Sequence, residues 1–183
     1  ADECSFFPAF IPDGRFVAFH SSATNLVAGD TNGTADVFVH DRQTGETARV
    51  SVSSSGQETM SGFESMNAAL SEDGRYVAFD SASPGLAPGA ITNLIDVYVH
   101  DRQTGETTRV DVDGAGARAA GGDSEYAALS ADGRLVAFQS WATNLVAGDT
   151  NGECDIFVHD RQTGETTRLS VDSAGAQATG GSS

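Results

Sequence analysis

The octapeptide His-Asp-Arg-Gln-Thr-Gly-Glu-Thr occurs three times without a change, at 40–47, 100–107 and 159–166. A longer unit recurs around it, opened by Asp-Gly-Arg at Asp13, Asp73 and Asp132. The spacing is 60 residues and then 59, so three units account for nearly all of the 183 residues. Self-similarity at this period sets the architecture before any single side chain does. Each unit is one supersecondary element that buries its apolar face only by stacking on a neighbour.

Within a unit the apolar residues come in short runs. In the third, 126–129 is apolar, Asp132-Gly133 reads as a two-residue hairpin turn, and 135–138 is a second run. A polar stretch leads to 155–159, a turn follows at 160–164, and 166–171 is rich in β-branched residues. No segment has a 3.6-residue apolar period. Each unit is therefore expected to be four short antiparallel strands, the pattern of one β-propeller blade. Blades are expected at about 5–54, 65–114 and 124–173. A small residue at a fixed place in the first strand (Ala9, Ala69, Ala128) suits a strand crowded near a propeller axis. An open stack of sheets or a β-solenoid is the alternative.

Ser71-Glu-Asp-Gly-Arg-Tyr-Val-Ala-Phe79, followed by Asp96-Val-Tyr-Val99 and Asp101…Gly105, resembles the TolB-like, WD-related Pro-Asp repeat propellers. Pro12-Asp13-Gly14-Arg15 carries the name-giving dipeptide, whereas the other units have Glu72 and Ala131 in place of the proline. The resemblance covers all three units. It implies an all-β propeller and is silent on function, because such a fold hosts many activities.

Charge narrows the function classes. There are 26 acids against 10 bases, every base is arginine, and the net charge is −16. This argues against nucleic-acid phosphates as partners and is compatible with cation binding and a secreted or periplasmic location. No apolar run is long enough to span a bilayer. The opening Ala1-Asp2-Glu3 would suit a mature N-terminus.

Units one and three share an acidic loop, Asp30-x-Asn32-Gly33-x-x-Asp36 and Asp149-x-Asn151-Gly152-x-x-Asp155. Alternating oxygen donors around a glycine turn are like the first half of an EF-hand loop and could curl around Ca²⁺. An Asx-type turn without an ion is the alternative. Unit two has Ala90, Thr92 and Asn93 at these places but keeps Asp96. The acid before the third strand is thus expected to have a structural task as well, such as accepting backbone N–H groups.

No nucleophile elbow, HExxH or phosphate loop is present, and a non-catalytic protein is expected. His40, His100 and His159 hold equivalent places on separate third strands, too far apart for one zinc site. Trp141 is either a sugar-stacking platform or packing between blades. A glycan-binding lectin and a fragment of a larger hydrolase or lyase are the alternative functions.

Propellers close with four to eight blades, so three leave two open, apolar blade faces. Self-association, as a ring or a head-to-tail filament, is expected to cover them. In repeat register Cys154 aligns with Ala35, and Cys4 with Glu64. If those places adjoin between blades, Cys154 of one chain meets Cys4 of the next in an intermolecular disulfide. Two unpaired thiols are the alternative.

Overall fold

A computed structural model of the chain describes residues 3–89 and 94–178. Ala90, Thr92 and Asn93 lie outside the described residues, as do Ala1 and Asp2. Twelve strands follow one another: β1 (Ser5–Phe10), β2 (Phe16–Ser21), β3 (Asp36–Asp41), β4 (Thr47–Arg49), β5 (Ser65–Leu70), β6 (Tyr76–Ser81), β7 (Asp96–Asp101), β8 (Thr107–Arg109), β9 (Ser124–Leu129), β10 (Leu135–Ser140), β11 (Asp155–Asp160) and β12 (Glu165–Arg168). They form three four-stranded antiparallel sheets in the order β1-β2-β3-β4, β5-β6-β7-β8 and β9-β10-β11-β12. The fold is all-β with no helix among the described residues. The short apolar runs have become strands because only pairing inside the unit satisfies their backbone groups.

The Asp-Gly turn differs from the two-residue hairpin read from the sequence. Ser130 N–H donates to Leu135 C=O and Gly133 N–H to Ser130 C=O, both at 2.9 Å, which closes a four-residue loop. Asp132 accepts the Arg134 N–H at 3.0 Å, an Asx turn that a two-residue loop has no room for. The last strand of each sheet is also shorter than expected. After Arg49, Arg109 and Arg168 the chain folds back through single bridges, Val52 to Glu58, Val112 to Arg118 and Val171 to Gln177.

Each first strand carries a bulge where it pairs with the second. Phe7, Asn67 and Tyr126, at equivalent places, have φ of 49°, 54° and 57°. The bulge re-aims that one residue. In blade two it lets Asn67 donate to Asp80 at 2.8 Å, and the next blade's Tyr126 N–H reaches the same carboxylate oxygen at 2.9 Å.

Sheets stack face to face through two apolar joints. Ala18, Val37, Val39 and Val50 of blade one meet Val77, Phe79, Leu86 and Tyr98 of blade two. Ala78, Val97, Val99 and Val110 of blade two meet Val136, Phe138, Leu145 and Phe157 of blade three. One face of each blade is thus built of small and β-branched residues and the other of rings and leucines, so a single joint is used twice.

A second device is also used twice. Phe16 lies over Gly74 of blade two, and Tyr76 over Gly133 of blade three. Arg102 covers the Phe16 ring at 4.4 Å and Arg161 the Tyr76 ring at 4.3 Å. The same arginines donate to the carbonyls of Gly74 and Gly133 at 2.6 and 2.7 Å. Hydrogen bonds knit the outer edge, where Thr107 Oγ1 donates to Val52 C=O and Thr166 Oγ1 to Val112 C=O, both at 2.5 Å.

Candidate functional site

The acidic loop of unit one folds around a cation the chain itself supplies. Asp30, Asp36 and Glu58 bring carboxylate oxygens within 4.8 Å of one another. Between them lies the Arg49 guanidinium, with Nη1 3.3 Å from Asp30, 3.2 Å from Asp36 and 2.7 Å from Glu58. Asp36 also accepts from Ser51 at 2.6 Å, Thr59 at 3.0 Å and Asn32 Nδ2 at 2.8 Å. Its partners are side chains rather than the backbone N–H groups expected of it. Asn32 turns its amide nitrogen toward Asp36 and commits its oxygen to the Thr34 N–H at 3.0 Å. It is therefore a donor in this cluster, and a metal ion held here would have to displace both this amide and Arg49. Burial pushes the Glu58 carboxyl up, but bonds from Thr31 and Arg49 outweigh it and hold Glu58 below its ordinary value.

The loop of unit three repeats the scheme with less charge. Arg168 stands 3.3 Å from Asp149 and 3.5 Å from Asp155. Gln177 replaces Glu58 and donates to Asp149 at 2.8 Å. Asn151 donates to Asp155 at 3.1 Å.

Unit two exchanges the charges. The sequence puts Ala90 in the place of Asp30 and Arg118 in the place of Glu58. Asp96 now receives two guanidiniums, Arg118 at 2.6 Å and Arg109 at 3.2 Å. Asp111, at the place of Ser51 and Ser170, adds a further acid, which burial and the charge of Asp96 hold well above the usual carboxylate range. Every unit thus pairs its buried acid with arginine, but the ratio differs: three acids to one arginine in unit one, two to two in unit two and two to one in unit three. Sequence reasoning named Asp30, Asn32, Asp36, Asp149, Asn151 and Asp155, and missed Arg49, Glu58, Arg109, Arg118, Arg168 and Gln177. The signal was present: an arginine recurs two residues after the octapeptide, and positions 30 and 58 change together with 90 and 118.

The histidines are occupied locally. His40, His100 and His159 each meet the threonine of their own sheet (Thr47, Thr107, Thr166) through Nδ1 at 2.9 Å. None of them belongs to a metal-ligating group among the described residues. Trp141 is 41% exposed and lies against Gly122, in the linker that is one residue shorter than its counterpart in the first joint. There Phe63 of the linker and the small Ala82 of the blade line one hollow, so bulk has moved from linker to blade.

The end faces of the array are the two halves of the internal joint. On blade three, Ile156 and Leu169 are 42% and 55% exposed, whereas their counterparts Val37 and Val50 are 0% and 1%. On blade one, Ser5, Phe6, Pro8, Phe19 and Leu26 line an open apolar hollow of about 260 Å³. Phe79 and Leu86, the counterparts of Phe19 and Leu26, are buried in the first joint. The glycine socket is prepared too. Arg42 donates to Gly14 C=O at 2.9 Å in the manner of Arg102 and Arg161, with no ring beneath it. At the far end Leu135 takes the ring position and is 40% exposed. Cys4 is exposed and Cys154 half-buried, and no disulfide joins them within the chain.

Three four-stranded blades joined this way define a β-propeller array. No family model matches the chain, and no curated protein matches it in sequence. Among solved structures it is similar to TolB from Acinetobacter baumannii, with TM-score 0.56 and 20% identity over 98% of this chain and 35% of that one. It is similar to a TolB-type protein of Agrobacterium tumefaciens, with TM-score 0.57 and 18% identity over 91% and 46%. The propeller domain of the Trilobed protease from Pyrococcus furiosus matches at TM-score 0.51 and 12% identity over 90% and 41%. The chain has the TolB-type propeller fold and spans less than half the length of these propellers.

Proposed function

We propose that the chain is a non-catalytic propeller module that joins to copies of itself, blade three onto blade one, and serves as a structural or adhesive scaffold. One observation carries this reading: the two open faces present the same residue classes, in the same places, as the two sides of the internal joints. Exposed apolar surface of this kind is a docking surface, and a head-to-tail contact gives a ring or a filament according to the rotation per copy. The acidic, lysine-free surface suits an extracellular or periplasmic setting. In this reading Arg49 and Arg168 act as the cations of their loops, and Ca²⁺ is a competitor for the same carboxylates. Light scattering and negative-stain imaging of the 183-residue chain test the scaffold reading. Rings of two copies or filaments are the expected result, and a monodisperse monomer across micromolar concentrations would overturn it.

The second reading is a portion of a larger hydrolase or lyase, favoured by the likeness to the propeller domain of the Trilobed protease, of which this chain covers 41%. Further blades of the same chain would then cover the end faces, and the excised module would associate only weakly. A glycan-binding role centred on Trp141 predicts saturable binding on a glycan array that Trp141→Ala abolishes.

A further inference from the structure

The geometry points to a covalent clasp: Cys4 of one copy and Cys154 of another form a disulfide across the head-to-tail joint. This rests on the self-association reading and adds a bond to it.

Both internal joints show what adjoins what. Ser65 N–H of blade two donates to Ala35 C=O of blade one at 2.8 Å, and Ser124 N–H of blade three to Ile95 C=O of blade two at 2.9 Å. Ala35, Ile95 and Cys154 occupy one repeat position, immediately before the buried acid that opens the third strand. Glu64, Asp123 and Cys4 occupy the other, immediately before the serine that opens the first strand. One peptide link and one hydrogen bond join the two positions, so they are neighbours across the joint, and a disulfide there calls for Cα atoms about 4.4–6.8 Å apart. In the second joint a side chain already crosses the gap, since Asp123 Oδ1 accepts from Ile95 N–H at 2.9 Å.

Cys4 is held in the same backbone pose as its counterparts. Ser21 Oγ donates to Cys4 C=O at 3.0 Å, as Ser81 Oγ does to Glu64 at 3.0 Å and Ser140 Oγ to Asp123 at 3.2 Å. Ser5 meets Ser21 at 3.0 Å, as Ser65 meets Ser81 at 3.0 Å and Ser124 meets Ser140 at 2.9 Å. The end of blade one is therefore already shaped as the receiving half of a joint. At the internal joints the two positions carry Ala35 with Glu64 and Ile95 with Asp123. Cysteine stands only at the two outward halves.

The chemistry is thiol–disulfide exchange with a low-molecular-weight disulfide as oxidant. The exposed Cys4 thiolate attacks it, forming a mixed disulfide and releasing one small thiol. Docking then brings Cys154, whose thiolate attacks the Cys4 sulfur and releases the second. One small disulfide is reduced to two thiols for each interchain bond made, and the two protons given up by the cysteines end on those two thiols.

Single variants decide the matter. Cys4→Ser and Cys154→Ser chains, each incubated alone with oxidised glutathione, are expected to run as monomers on a non-reducing gel. Mixed in equal amounts they are expected to give a covalent dimer and nothing larger, because each supplies one half of one bond. A Cys4–Cys154 peptide should appear in the digest of the unreduced dimer. A dimer from either variant alone, or none from the mixture, overturns the clasp. Light scattering of the Cys4→Ser/Cys154→Ser double variant keeps the two ideas apart. Assembly of the double variant, with no covalent dimer from the mixed single variants, leaves the scaffold reading standing and the clasp refuted, whereas monomer throughout, in wild type as well, refutes the scaffold reading.

Discussion

The Phe16 ring lies so close over Gly74 that a methyl group there would stand 2.2 Å from Cδ2. Tyr76 makes the same approach to Gly133. Gly74 has φ of 69° and Gly133 of 68°, so each glycine meets two demands at once. Gly14, with φ of 69°, meets only the backbone demand within one chain.

Gly74→Ala and Gly133→Ala should therefore cost more than Gly14→Ala. The left-handed backbone penalty is about 1–2 kcal/mol in all three. The clash with a ring at an internal joint adds about 1–3 kcal/mol in the first two. Urea melts of the isolated chain check the order; equal losses at the three sites would contradict the ring-on-glycine account.

Arg42 has no intrachain ring to cover, so its removal separates assembly from folding. Arg42→Ala should leave the melting temperature nearly unchanged and raise the concentration at which copies associate. Arg102→Ala, at the equivalent internal socket, should lower the melting temperature. Differential scanning fluorimetry and concentration-dependent light scattering read the two effects.

Arg49 is the shared cation of three carboxylates, two of them buried. Arg49→Met should cost about 3–5 kcal/mol, the penalty for leaving buried charge without its partner. The same variant should gain a melting temperature that rises with added Ca²⁺, because the vacated place is ringed by hard oxygen donors. The wild-type chain should be indifferent to chelator. A chelator-induced fall in the wild-type melting temperature would show that Ca²⁺ already belongs to these loops.

Asp80 gives a pH signature with a definite sign. Burial raises its pKa from 3.8 to about 7, against the opposing bonds from Tyr126 N–H and Asn67. A raised pKa means the contribution to stability is fully present below about pH 4 and is lost as pH climbs through 7. His20, His100 and His159 run the other way, because burial lowers them and stability falls as they protonate. The difference between wild type and Asp80→Asn isolates the carboxyl. Wild type should lose ground to the variant between about pH 4 and 7 by at most about 1.4 kcal/mol per pH unit. Parallel stability curves would refute the assignment.

The blades were legible because a threefold repeat of four short apolar runs separated by turns leaves few alternatives to four-stranded sheets. The bulges at Phe7, Asn67 and Tyr126 were not, since φ above zero at a non-glycine residue has no sequence mark. The acidic loops were legible as clusters of oxygen donors and illegible as arginine cages. Arg49 is 19 residues from Asp30, and the sheet must form before they meet. Unit two shows how the cage could have been read: Arg118 stands where unit one has Glu58 and Asp111 where it has Ser51, an exchange of charge between two places that both face Asp96. The adjacency of the cysteine positions needed the hydrogen bond from Ser65 to Ala35, which joins two places in the repeat that the alignment can only count.

In the scaffold reading the same joint is written three times, each time with its own residues. Val37 and Phe79 serve the fold, whereas the exposed Ile156 and Leu169 serve only the contact between copies. The grip of one copy on the next can therefore drift under selection while the stacking inside each chain stays fixed.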